Sequence, residues 1–122
     1  MQFFERHEFL EFFDEEKILD EELGWYNYSV RLEQNLLLEV SFMVAESTFS
    51  LTLKHQNSER QIIGISFNRY SVDRLTLEKS KNFTVLFLYK IDFDVYPYRD
   101  KGTRVPDYSF VIKPSFSMDL NL

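Results

Sequence analysis

The stretch Trp25-Tyr26-Asn27-Tyr28-Ser29-Val30-Arg31-Leu32, followed after Glu33-Gln34-Asn35 by Leu36-Leu37-Leu38-Glu39-Val40-Ser41-Phe42-Met43-Val44, decides the fold. Tyr26, Tyr28, Val30 and Leu32 alternate with Asn27, Ser29 and Arg31. Leu36, Leu38, Val40, Phe42 and Val44 then alternate with Leu37, Glu39, Ser41 and Met43. A period of two sends successive side chains to opposite faces, so each set reads as a strand with one buried face. The polar break Glu33-Gln34-Asn35 has the length of a hairpin connection, and the two strands are therefore antiparallel neighbours.

The same pattern continues downstream. Phe49, Leu51 and Leu53 alternate with Ser50, Thr52 and Lys54 as a third strand. The polar run Gln56 to Arg60 then turns the chain into a fourth, with Ile63, Ile65 and Phe67 on one face. Short polar loops between successive strands imply an antiparallel meander. Val72 to Leu77 carries a further short apolar pattern. Phe83 to Val95 reads as a long strand whose first half is apolar on both faces and whose second half, Lys90, Asp92 and Asp94 against Ile91, Phe93 and Val95, is apolar on one. The chain closes with Tyr108 to Ile112 and with Phe116, Met118 and Leu120, and Pro114 marks a bend between them. The segment Tyr96 to Asp107, with two of the three Pro, is the one long irregular connection.

Upstream of Trp25 the period changes. Phe9, Leu10 and Phe13 fall near one side of a helix, with Glu8, Glu11 and Glu15 on the other. Asp14 has the character of an N-cap for a second helix, Glu15 and Glu16 occupy its favourable first turn, Ile18, Leu19 and Leu23 supply an apolar side, and Gly24 is a stop. The rival reading of Phe9 to Phe13 is a short strand, since aromatic residues suit strands. The expectation is an α+β protein: a helical segment packed on a mostly antiparallel β-sheet or sandwich of about seven strands. It forms one domain, with residues 1–24 as the acidic helical segment and residues 25–122 as the antiparallel β region.

Composition limits the chemistry. The chain has 122 residues, 44% hydrophobic and 17% aromatic, with 3 Gly and 3 Pro, which suits a folded domain and not a disordered chain. It has no Cys, so disulfides, thiolate metal sites and Cys nucleophiles are excluded; this fits a cytoplasmic protein. Neither a signal peptide nor a membrane helix is readable. The two His, His7 and His55, stand in no metal-binding motif, and no metal or other cofactor is expected. Gly24, Gly64 and Gly102 are isolated, so there is no phosphate loop, and no nucleophile elbow is present. Asp92 and Asp94 would share one strand face and could act together on a metal. As the outward half of a half-buried strand they read more simply as solvated, and no catalytic residue is assigned.

Charge is the feature that points outward. Nine of the 20 acidic residues lie in the first 24 positions, against Arg6 and Lys17, while the rest of the chain is close to neutral. Glu8, Glu11, Asp14, Glu15, Glu16, Asp20, Glu21 and Glu22 either form the solvated face of a helix or create a field that steers a basic protein partner onto the molecule. In the long loop, Tyr96, Tyr98 and Tyr108 interleave with Arg99, Lys101 and Arg104. Such a set can stack on single-stranded nucleic acid, but the net charge of -6 removes the basic footprint that binding requires. Tyr and Arg are also the usual anchors of protein interfaces, and that is the assignment made for Tyr96, Tyr98, Arg99 and Arg104. The expected partner-binding set is thus Glu8, Glu11, Asp14, Glu15, Glu16 and Asp20 with those four loop residues, and no nucleic-acid or membrane partner is expected.

Small size, absence of Cys, an aromatic-rich β region, an acidic face and stretches such as Gly64-Ile65-Ser66-Phe67 and Val111-Ile112-Lys113-Pro114-Ser115-Phe116 together resemble the small acidic immunity proteins that bacteria encode beside polymorphic or contact-dependent toxins. The resemblance implies a protein that binds a cognate toxin, often over or near its active site, and neutralises it without catalysis. The alternatives are a ligand-binding or scaffold accessory domain of a phage or mobile element and, third, a metal-dependent enzyme using Asp92 and Asp94.

Overall fold

The structure, a computed structural model, describes residues 3–33, 35–56, 60–80, 83–90, 106–113 and 116–120. A short helix, α1 (Arg6–Phe12), precedes strands β1 (Glu15–Asp20), β2 (Trp25–Leu32), β3 (Leu36–Met43), β4 (Thr48–His55) and β5 (Gln61–Phe67), which form one antiparallel sheet in chain order. A second antiparallel sheet follows, again in chain order: β6 (Val72–Lys79), β7 (Thr84–Lys90), β8 (Tyr108–Lys113) and β9 (Ser117–Leu120). The meander inferred from the alternating pattern is thus present. Among the described residues it comprises nine strands in two sheets of five and four, not about seven.

The alternation places the core. Tyr28 and Val30 of β2, Leu38, Val40 and Phe42 of β3, and Phe49, Leu51 and Leu53 of β4 are buried. They meet Leu75, Leu77, Leu86, Leu88, Phe110 and Ile112 of the second sheet in one continuous apolar cluster. Rings bridge the two sheets, with Phe49 6.1 Å from Phe110 and Phe67 4.8 Å from Tyr108. In β7 it is the Leu86 and Leu88 face that is fully buried, while Val85 and Phe87 are half-buried; the part of the expected long strand beyond Lys90, with Asp92 and Asp94, lies outside the described residues.

The N-terminal segment closes one side of this arrangement. Phe3, Phe9 and Phe13 are buried, and Phe4, Phe9 and Phe3 surround the ring of Phe42 at centroid distances of 4.7, 5.7 and 5.5 Å. The Leu75 amide of β6 donates to the Phe3 carbonyl at 2.8 Å, so the segment also lies along the outer edge of the second sheet.

The second helix expected over Asp14 to Gly24 is instead β1, paired antiparallel with β2 through Glu15 opposite Ser29, Lys17 opposite Asn27 and Ile18 opposite Tyr26. The physical reason lies in the apolar residues that suggested a helix stripe. Ile18, Leu19 and Leu23 remain 39%, 49% and 41% exposed, so no buried face rewards a helical period, and pairing with the edge of β2 satisfies the backbone instead. The Asp14 carboxylate accepts the Arg31 amide at 3.1 Å rather than capping a helix. Gly24 ends the β1–β2 turn with φ +65, a conformation that carries no steric cost only for glycine. A Cβ there would stand 2.8 Å from the Val44 Cβ. Gly24→Ala is therefore expected to lower unfolding free energy by about 1–2 kcal/mol, combining the left-handed penalty with the clash, as measured by urea unfolding.

Candidate interaction surface

A polar constellation joins the helix, the first strand and the core. The Glu16 carboxylate accepts two bonds from the Arg6 guanidinium, Nη2 to Oε1 at 2.6 Å and Nε to Oε2 at 2.9 Å, in a fork-to-fork pair. The Tyr28 hydroxyl donates to Glu16 Oε2 at 2.7 Å. Tyr28 is fully buried and the Glu16 side chain is 14% exposed, so the carboxylate sits at the wet end of a buried phenol. Its hydrogen bonds to Arg6 hold Glu16 below the ordinary carboxylate range, against the opposing effect of burial and with help from Tyr28. Tyr28 is pushed up, chiefly by burial and then by its bond to the Glu16 carboxylate. Arg6, bound to Glu16, stays charged.

The six acidic residues of the expected binding set therefore divide. Glu16 is bound internally. Asp14 and Asp20 accept backbone amides, of Arg31 at 3.1 Å and Leu23 at 3.0 Å, so they fasten turns as well as carrying charge. Glu8 is half-buried, and its buried Oε1 has no hydrogen-bond partner among the described residues. Glu11 is exposed and 3.6 Å from Lys79 of β6, which ties α1 to the second sheet. Glu15 is exposed and accepts the Ser29 hydroxyl at 3.3 Å. Glu21 and Glu22, in the β1–β2 turn, are exposed. Tyr96, Tyr98, Arg99 and Arg104 lie outside the described residues.

Two clefts flank this segment. One, of about 680 Å³, lies on the outer face of the first sheet, lined by Asp14, Glu15, Lys17, Asn27, Ser29, Arg31, Leu37, Glu39 and Gln56; it holds both signs of charge. The other, of about 600 Å³, lies between the N-terminal segment and the β1–β2 turn. Phe3, Phe4 and Tyr26 give it an aromatic wall, and Glu5, Glu21 and Glu22 give it an acidic rim. Its one guanidinium, Arg6, is engaged by Glu16. A cleft of this chemistry suits a cationic side chain with an aliphatic stem, which takes charge from the rim and a ring face from the wall. Glu21 and Glu22 belonged to the expected steering field but not to the expected binding set, because it is the β1–β2 turn that brings them beside the N-terminal aromatics; Glu5 was in neither.

Metal chemistry gains nothing from the described residues: no group of three His, Cys, Asp or Glu is placed to hold an ion among them. His7 and His55 are exposed, with His7 Nδ1 3.7 Å from Glu5. No described helix is long and apolar enough to cross a membrane.

No protein-family model matches the chain, and no curated protein matches it in sequence. In three dimensions it is similar to one chain of a contact-dependent growth inhibition toxin–immunity protein complex from Klebsiella pneumoniae 342, with a TM-score of 0.66 over 94% of this chain and 90% of that one, at 16% identity. The resemblance to immunity proteins drawn from the sequence thus meets a shared fold.

Proposed function

We propose that this protein is a non-catalytic, immunity-type inhibitor that binds a cognate bacterial toxin and neutralises it in the cytoplasm. The observation that carries the reading is the shared fold, over nearly the whole chain, with a component of a toxin–immunity complex. Of the two roles in such a complex, the chemistry of this chain favours the inhibitor. It has no Cys and two His, and its net charge of -6 suits a basic partner such as a toxin that acts on nucleic acid. The acidic edge made by α1, β1 and the β1–β2 turn is the binding surface, with Glu15, Glu21 and Glu22 as its outward charges and the aromatic cleft behind them as a socket. Tyr96, Tyr98, Arg99 and Arg104 are retained in this reading as partner-binding residues on the chemistry of their side chains alone.

The test is affinity capture of the tagged protein from a lysate containing the products of its neighbouring genes, followed by binding kinetics with the partner recovered. The expected result is a basic partner whose association slows as salt rises. Glu15→Lys/Glu21→Lys/Glu22→Lys should weaken binding by about 10- to 1000-fold at low salt, mainly through association rate, while thermal unfolding stays unchanged. Protection of cells against the co-expressed partner should fall in parallel. Equal affinity and protection from the triple variant would move the interface away from the acidic edge; a partner without toxicity would end the immunity reading.

A further inference from the structure

Sheet edges expose unpaired amides and carbonyls, and among the described residues three of the four edges are guarded. β1 carries Glu15, Glu16, Lys17 and Asp20; β6 has the N-terminal segment along it through the Leu75 amide and the Phe3 carbonyl; β9 has only four residues, one of them Asp119. β5 is different. Its seven residues, Gln61-Ile62-Ile63-Gly64-Ile65-Ser66-Phe67, contain no charge and no proline, and no described strand pairs with its outer edge. Its core-facing residues Ile63, Ile65 and Phe67 are only half-buried, whereas the equivalent residues Phe49, Leu51 and Leu53 on β4 are buried.

We propose that the β5 edge pairs with the β5 edge of a second copy of this chain, giving a two-fold dimer with one continuous ten-stranded sheet. The sequence is self-complementary about Ile65. An antiparallel pairing centred there sets Ile65 opposite the partner subunit's Ile65, Ile63 opposite the partner subunit's Phe67, and Gly64 opposite the partner subunit's Ser66. β-branched and aromatic residues then meet on the core face, and the smallest residues meet on the outer one. This register begins beyond the irregularity between Leu53 and Lys54 of β4, which displaces the Gln61 end of β5. Charge permits the arrangement: the acidic β1 is four strands away, about 19 Å, and its field is screened over about 8 Å at physiological salt. A two-fold pairing closes on itself, so association stops at two copies.

The 122-residue chain has no Cys, which makes Ile65→Cys a direct probe of the register. Opposed residues in an antiparallel pair are within disulfide reach, so mild oxidation should give a covalent dimer from Ile65→Cys and none from Ser50→Cys on the outer face of β4. Sedimentation equilibrium of the unmodified protein should show reversible dimerisation. Ile62→Lys/Ser66→Lys, both at exposed positions, should be monomeric at the same concentrations, with thermal unfolding equal to that of the wild type once the wild type is diluted to monomer. A wild-type chain that stays monomeric to about 1 mM, continues beyond two copies, or dimerises equally well as the double-Lys variant would overturn the proposal. So would equal cross-linking from Ser50→Cys.

Discussion

Phe42→Ala is expected to lower unfolding free energy by about 3–5 kcal/mol. Phe42 is 1% exposed near the C-terminal end of β3, and five aromatic rings surround it: Phe4 at 4.7 Å, Phe3 at 5.5 Å, Phe9 and Tyr26 at 5.7 Å, and Tyr28 at 6.0 Å. Three of these belong to the N-terminal segment. Removing the ring loses its transfer free energy and leaves a cavity that rigid neighbours fill poorly, and it also detaches the segment that carries α1. The loss should appear in guanidinium unfolding, and amide exchange over residues 3–13 should rise more than exchange in β7. Phe83→Ala is the control: at 50% exposure it should change stability by no more than about 0.5 kcal/mol. A Phe42→Ala protein as stable as the parent would mean that the N-terminal aromatics are not part of the core.

The sheet that holds Phe42 was legible because its period is unambiguous. One face of β2 to β4 is almost uninterrupted apolar residues and the other is mostly polar, so strand type, register face and meander order follow from alternation and short loops. The first 24 residues were less legible. Asp14, Glu15, Glu16 and Gly24 carry helix-start and helix-stop chemistry, yet the fate of Glu15 to Asp20 is set by the unpaired edge of β2, a partner that local pattern cannot see. The error carries into the site. Read as a helix, Glu15 and Glu16 are two adjacent members of one acidic surface; read as a strand, they point to opposite faces, one outward and one toward Tyr28. A buried tyrosine hydroxyl requires a partner, so Tyr28 on the core face was the one sequence signal that an acid from elsewhere would be drawn inward.

Glu16→Lys is expected to separate structural from outward acids. It removes the acceptor of the Tyr28 hydroxyl, which burial then leaves unsatisfied, and sets a cation beside Arg6. The Tyr28 loss alone costs about 1–3 kcal/mol. Glu16→Gln keeps the acceptor and should cost less, but it should change the pH dependence. Because the folded protein holds Glu16 below the ordinary carboxylate value of about 4.3, the unfolded chain takes up a proton there first as pH falls. Stability from this group is complete above that value, declines on acidification, and is gone once the folded carboxyl also protonates. Glu16→Gln should flatten this part of the acid limb. At the alkaline end the sign reverses: Tyr28 is raised, so above about pH 10 the unfolded chain loses its phenolic proton while the folded one keeps it, and stability falls as pH rises. Tyr28→Phe should remove that decline. The contrast with Glu21→Lys/Glu22→Lys then becomes diagnostic, since the same kind of charge reversal should leave unfolding untouched and slow association with a basic partner. If Glu16→Lys instead folded normally and lost the partner, the Arg6–Glu16–Tyr28 constellation would itself be the docking site, opened by the partner's own cation in place of Arg6.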